Sequence, residues 1–248
     1  MRRLWGLVGA LAFVAGTWAL AAAAVARPFL PGPGETLGQL GTLVASGALV
    51  PHLTASLTRL AWGVALSLVP ALGLGLAAGL SPRTDAVVRP LLYLLHPIPK
   101  VVFLPLFFLF LGLGDEPKVG LIAFIVFSQL AVTTRDAVYR LPGELLDQMR
   151  ILGARRRDLL VDVVVPGILP EVLSALKIAL GTSIAVLYFA ESFASVSGLG
   201  WFITDAWSRV DYLSMNAAIV ALALVGLALL ALVDGLAAWA CRWQGRLR

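Results

Sequence analysis

The 248-residue sequence has little of what soluble enzymes are built from: one cysteine, two histidines and only 13% charged residues. A soluble domain carries about 25% charged residues, and here the mean hydropathy of +0.92 exceeds what water-facing surfaces tolerate. The lone Cys241 excludes an internal disulfide, and its place beside Arg242 near the chain end suggests the cytoplasmic rim of a membrane. No Gly-x-x-x-x-Gly-Lys-Ser/Thr loop is present, so the chain has no recognisable means of holding ATP. No His-Glu-x-x-His pattern, cysteine pair or Gly-x-Ser-x-Gly elbow occurs either. His52 and His96 fall near opposite membrane faces, and beside Pro97 the bland reading of His96 is a cap or packing residue. Gly73, Gly75 and Gly79 imitate a nucleotide fingerprint, but their spacing is wrong and no strand precedes them; small residues four apart instead let helices pack closely in lipid.

What is present is apolar: 60% of the residues, arranged in continuous runs rather than in period-two alternation. Backbone in lipid must pair its own polar groups, so such runs read as helices and not as a barrel. Residues 1–26 open with Arg2 and Arg3 and end Ala24-Val25-Ala26, like a signal-peptidase site. The apolar run of roughly 22 residues is longer than a signal core and long enough to span, so a retained first helix is expected. Pro28, Pro31 and Pro33 then break the chain into an external loop with a short surface helix at 35–49. Further spans are expected at 57–80, 101–112, 119–138, 168–188 and 215–240, with a basic turn at 81–89, a kink at Pro105 and a polar loop at 191–212. The fold class is therefore all-α membrane protein with six transmembrane helices. Residues 1–53 form the first helix and external loop, 54–243 the core and 244–248 a tail.

The net charge of +5 does not indicate nucleic acid, because the cations fall between apolar spans. With six spans and the N-terminus inside, 14 of the 19 lysines and arginines are cytoplasmic, from Arg2 and Arg3 to Arg246 and Arg248. Arg27, Arg59, Lys118 and Arg209 are left outside, and Lys177 within a span. This asymmetry puts both termini in the cytoplasm.

Between the fourth and fifth expected spans, residues 141–170 must lie in water. A short helix near Glu144 to Leu152 is followed by Gly153, where the backbone can turn tightly, then by Arg155, Arg156, Arg157 and Asp158, with Pro166 and Pro170 closing the segment. Arg150 adds to the charge. Anchoring on the positive-inside side explains the arginines; a docking element for a soluble partner explains the glycine turn and prolines as well.

This segment resembles the cytoplasmic "EAA" loop of ABC importer permeases. Asp147, Gln148 and Met149 stand in the triplet places, Gly153 and Ala154 in the turn, and Val163, Val164, Val165 and Pro166 in the closing run. His96-Pro97-Ile98-Pro99, Leu104-Pro105-Leu106, Gly112-Leu113-Gly114, Ala190-Glu191 and Ser197-Gly198-Leu199-Gly200 extend the likeness to the nitrate/sulfonate/taurine branch over about 54–243. The resemblance implies a non-catalytic permease of the bacterial inner membrane. It implies a coupling helix that docks an ABC ATPase subunit, which itself binds ATP and Mg, and also a second copy of the chain and an extracytoplasmic solute-binding protein. No cofactor is expected in this chain.

Ionisable groups inside spans cost roughly 2.5–3.5 kcal/mol each at a helix centre and so mark candidate function. Lys177 and Glu191, separated by 14 residues, lie within about 40° of one helix face, with Gly181, Ile184 and Tyr188 between them. They suggest a water-lined pathway; Lys177 can instead snorkel to the cytoplasmic surface, and Glu191 can brace the Ser197–Gly200 turn. Gln129, Thr182 and Ser183 are pathway candidates or interhelical hydrogen bonds. An ion-driven secondary transporter remains the alternative, and a membrane enzyme is disfavoured because the acids are scattered.

Overall fold

The computed structural model describes residues 2–95, 97–193 and 195–243; His96, Arg246 and Arg248 lie outside them. Every element among the described residues is helical. In order these are α1 (Arg2–Val25), α2 (Pro33–Ala45), α3 (Val50–Leu80), α4 (Pro82–Leu95), a tight 3-10 turn (Lys100–Phe103), α5 (Leu104–Leu111), α6 (Glu116–Tyr139), α7 (Gly143–Ile151) and α8 (Arg156–Asp158). A wide π turn (Leu159–Val164) leads into α9 (Val165–Phe193), followed by α10 (Leu199–Ser208) and α11 (Tyr212–Ala240). Four helices are long and apolar enough to cross a membrane: α3, α6, the continuous Arg156–Phe193 helix and α11. A fifth crossing results if α4 and Lys100–Leu111, bent by 90°, form one broken span.

The chain divides into two compact units. One comprises residues 58–189 and 226–248, with α6 at its centre. Leu121, Ile122, Val126, Leu130 and Ala131 of α6 are buried. Glycines let α3 approach it: a Cβ on Gly63 would sit 2.4 Å from Ile122 Cγ2, and one on Gly75 or Gly79 would sit 2.6 Å from the Cβ of Thr134 or Val138. In lipid no hydrophobic force joins helices, so this backbone-close van der Waals packing supplies much of their attraction. On the other side of α6, Phe103 and Phe107 pack on Phe124 at 5.4 and 6.3 Å between centroids. Arg135, 7% exposed, forms a bidentate pair with Asp85 of α4 at 2.7 and 2.8 Å and also contacts Asp136.

The other unit comprises residues 1–57 and 190–225. Trp18 Nε1 donates to the Pro31 carbonyl at 3.1 Å, Gln39 Nε2 to Ser214 Oγ at 2.9 Å, and the Phe29 ring meets Tyr212 edge-on at 6.5 Å. These ties hold the proline-rich loop and α2 to the start of α11.

Four sequence expectations are corrected. The basic turn expected at 81–89 is the first half of α4, because Asp85 is drawn onto Arg135 and Val88 and Leu92 bury their side chains. Pro105 produces no kink, since it stands in the first turn of α5, where its missing N–H has no partner to lose. Pro166 and Pro170 do not close the segment. The helix runs through both, entered by the π turn in which the Val165 N–H reaches the Leu160 carbonyl. Residues 191–212 are not a polar loop: they contain α10, whose Leu199, Phe202, Ile203 and Ala206 are buried.

Candidate functional site

The segment between α6 and α9 is fastened at its base. Arg140 at the end of α6 pairs with Glu171 of α9, and Leu141 Cδ2 lies 2.9 Å from where a Cβ on Gly167 would be. From that base α7 projects with none of its residues buried. Glu144 is in its first turn, where a carboxylate suits the helix dipole; Arg150 is in its last and pairs with Asp147 at 2.9 Å.

The helix ends in a Schellman turn. Gly153 takes φ +83°, its N–H bonds the Arg150 carbonyl at 3.0 Å, and the Ala154 N–H bonds the Met149 carbonyl at 3.0 Å. The chain then straightens at Arg155, whose N–H is capped by Asp158 at 2.9 Å, and the long Arg156–Phe193 helix begins. Asp158 is thus spent on the backbone. Arg155, Arg156 and Arg157 are exposed and make no ion pair among the described residues. Beside them in the chain Leu145, Ile151 and Leu152 are 46%, 85% and 81% exposed. Gln148 is exposed and Met149 half-buried. Three cations and three uncovered aliphatic side chains thus fall within residues 145–157.

Of the candidate pathway residues, Gln129 comes together with Thr133 of α6 and Glu171, Ser174 and Ile178 of α9 around a groove of about 340 Å³. Thr182 lies on the exposed side of α9 and donates to the Ile178 carbonyl at 3.1 Å. Ser183 is buried and its Oγ has no partner among the described residues; Tyr188 is half-buried with its ring 5.4 Å from that of Phe189. Lys177 forms an ion pair with Asp234 of α11, and Glu191, 1% exposed, is enclosed by Ser56 and the 198–200 turn. The turn was among the sequence readings of Glu191, whereas Asp234 and Ser56 were missed. Asp234 had a signal, being the only acidic or basic side chain in the 29 residues of α11; Ser56 had none. No three His, Cys, Asp or Glu side chains gather to hold a metal ion among the described residues.

Residues 70–243 match the family described as binding-protein-dependent transport system inner membrane component. The chain belongs to that family. This inner membrane component is 30% identical over 240 residues to the taurine transport system permease protein TauC of Escherichia coli K12, covering 93% of this chain and 86% of that one. Against the bicarbonate transport system permease protein CmpB of Synechococcus elongatus it is 27% identical, covering 76% and 67%. Among solved structures, a chain of the MetNI methionine ABC transporter in inward-facing form superposes with a TM-score of 0.65 at 18% identity, covering 77% of this chain and 95% of that one. That likeness shows a shared fold. The protein is a permease component of an ABC importer, not an enzyme.

Proposed function

We propose that this permease crosses the bacterial inner membrane six times, with α1 and the bent α4–α5 pair added to the four long spans and both termini in the cytoplasm. Residues 54–243 are the permease core, preceded by the first helix and external loop and followed by a short tail. Two copies pair, and each docks one ABC ATPase subunit through α7 as coupling helix. Glu144, Asp147, Gln148, Met149 and Arg150 form the docking helix, Gly153 and Ala154 its turn, and Arg155, Arg156 and Arg157 the charged rim, with Asp158 and Pro166 at the entry to the long helix. ATP and Mg are held by the ATPase.

One observation carries this reading: an uncovered helix with exposed aliphatic side chains, followed by a glycine turn and three exposed arginines, stands between two membrane helices. The groove lined in part by Gln129, Thr133, Glu171 and Ser174 and the exposed side of α9 carrying Thr182 support a solute pathway there, since such polar groups are costly against lipid and natural beside water or a second copy. Lys177, Ser183, Tyr188 and Glu191 belong to the same helix. The solute is a small anion of the sulfonate, taurine or nitrate kind, received from an extracytoplasmic binding protein, a reading supported by the names of TauC and CmpB. The test is reconstitution in vesicles with the ATPase and binding protein. Solute uptake that requires ATP supports the proposal, whereas gradient-driven uptake by the chain alone would establish a secondary transporter instead.

A further inference from the structure

α10 begins without a cap of its own. Its N-cap residue is Gly198, which has no side chain to offer, yet the first N–H groups of a helix need acceptors when they are buried. Two other helices supply them. Ser56 of α3 accepts the Leu199 N–H at 2.9 Å, and Glu191 of α9 accepts the Gly200 N–H on Oε2 at 2.9 Å. Ser56 in turn shares its hydroxyl proton between Glu191 Oε1 and Oε2, at 2.8 and 2.9 Å. Ser56 is 0% and Glu191 1% exposed, so these bonds form away from water, where a charged acceptor counts most. The carboxylate also profits from the positive end of the α10 dipole.

The fit is steric as well as polar. Gly198 has φ +114°, and a Cβ on it would lie 2.2 Å from Glu191 Cδ. A second contact joins the same two elements: one turn before Ser56, His52 stacks on Trp201 at 5.0 Å with the planes 13° apart.

We infer that Ser56 and Glu191 are positioning residues for transport, a cap in trans that makes α10 move with the end of α9. This rests on the reading of α7 as the coupling helix, because Glu191 stands near the far end of the one continuous helix that starts at Arg156, beside the docking turn. A push on the start of that helix reaches the buried first turn of α10 through this cap, beside the hydrogen bond from Thr204 to Ser192. The cap is remote in sequence from the docking loop, so loosening it leaves ATPase attachment intact and removes what attachment accomplishes.

The experiment uses the permease purified with its ATPase and binding protein, comparing ATP hydrolysis without and with solute-loaded binding protein. Glu191→Gln keeps the size but removes the charge and replaces one of the two acceptor oxygens by an NH2 donor, and Ser56→Ala removes the shared hydroxyl. Each is expected to co-purify with the ATPase and keep basal hydrolysis while stimulation falls about tenfold, the scale of one lost hydrogen bond to a charged group. Ser56→Thr, which retains the hydroxyl, keeps the stimulation. Gly198→Ala is damaging by itself, and in combination with Glu191→Ala the losses are less than additive because the carboxylate it strikes is gone. Undiminished stimulation in Glu191→Gln or Ser56→Ala overturns the inference. So does loss of assembly and basal hydrolysis in both, which makes the pair a folding element only. If the unsubstituted chain neither binds the ATPase nor responds to the binding protein, the reading beneath it fails, a result visible before any variant is made.

Discussion

Replacing Gly153 tests the docking turn, and the structure sets the size of the effect. The residue sits at φ +83°, and a Cβ there would meet nothing within 4 Å. Substitution therefore costs backbone energy and no collision. An L-residue in this region costs about 1–2 kcal/mol, with β-branched residues at the upper end and asparagine well below. Since about 1.4 kcal/mol is a factor of ten, Gly153→Ala is expected to reduce the population of the formed turn about fivefold and Gly153→Val about thirtyfold. Gly153→Asn stays close to the parent. What is lost with the turn is the pair of 3.0 Å bonds from Gly153 and Ala154 to Arg150 and Met149, and with it the direction in which Arg155–Arg157 leave α7. The assay is co-purification with the ATPase and binding-protein-stimulated hydrolysis, normalised to the amount of permease inserted in the membrane. A valine variant as active as glycine refutes the reasoning. Asparagine as harmful as valine also refutes it, because that pattern means a partner surface needs the space rather than the turn needing the angle.

Asp85→Asn leaves Arg135 buried with only Asp136, and is expected to cost about 3 kcal/mol, the lower end for breaking a buried pair because one carboxylate remains; an unchanged thermal midpoint in detergent contradicts this. Gly75→Val drives a side chain into Thr134 and is expected to destabilise by about 1–3 kcal/mol, whereas Gly73→Val, which meets nothing within 4 Å, is near neutral in the same measurement. Equal midpoints for the two variants remove the close-packing account of α3 on α6. Lys177→Met and Asp234→Asn each leave one charge unpaired within a span, and either alone is expected to lower the membrane-inserted amount, while the double substitution restores it. Additive losses in the double variant show that the pair is not an energetic unit.

The long helices were legible because a span in lipid satisfies its own backbone, so hydropathy along the chain places α3, α6, α9 and α11 without reference to any other segment. Gly153 was legible for a similar reason: a glycine between an amphipathic stretch and an arginine run needs only local geometry to become a turn. The errors at the prolines were local, and the others fall where a distant partner overrides local tendency. Pro166 and Pro170 read as terminators, yet the π turn before them carries the helix on. Residues 199–208 read as a polar loop, yet Ser56 and Glu191 cap them and their apolar face is buried. Asp85 and Arg135 stand 50 residues apart, Lys177 and Asp234 57, Ser56 and Glu191 135. Periodicity and propensity report on neighbours three or four positions away and contain nothing about which buried charge meets which. The sequence by itself therefore determined where the long apolar helices lie and where the Gly153 turn falls. Tertiary structure alone decided how the charges are paired and that Ser56 joins Glu191 in holding α10, because burial makes an unpaired polar group too costly to leave and only the packed helices bring its partner within reach.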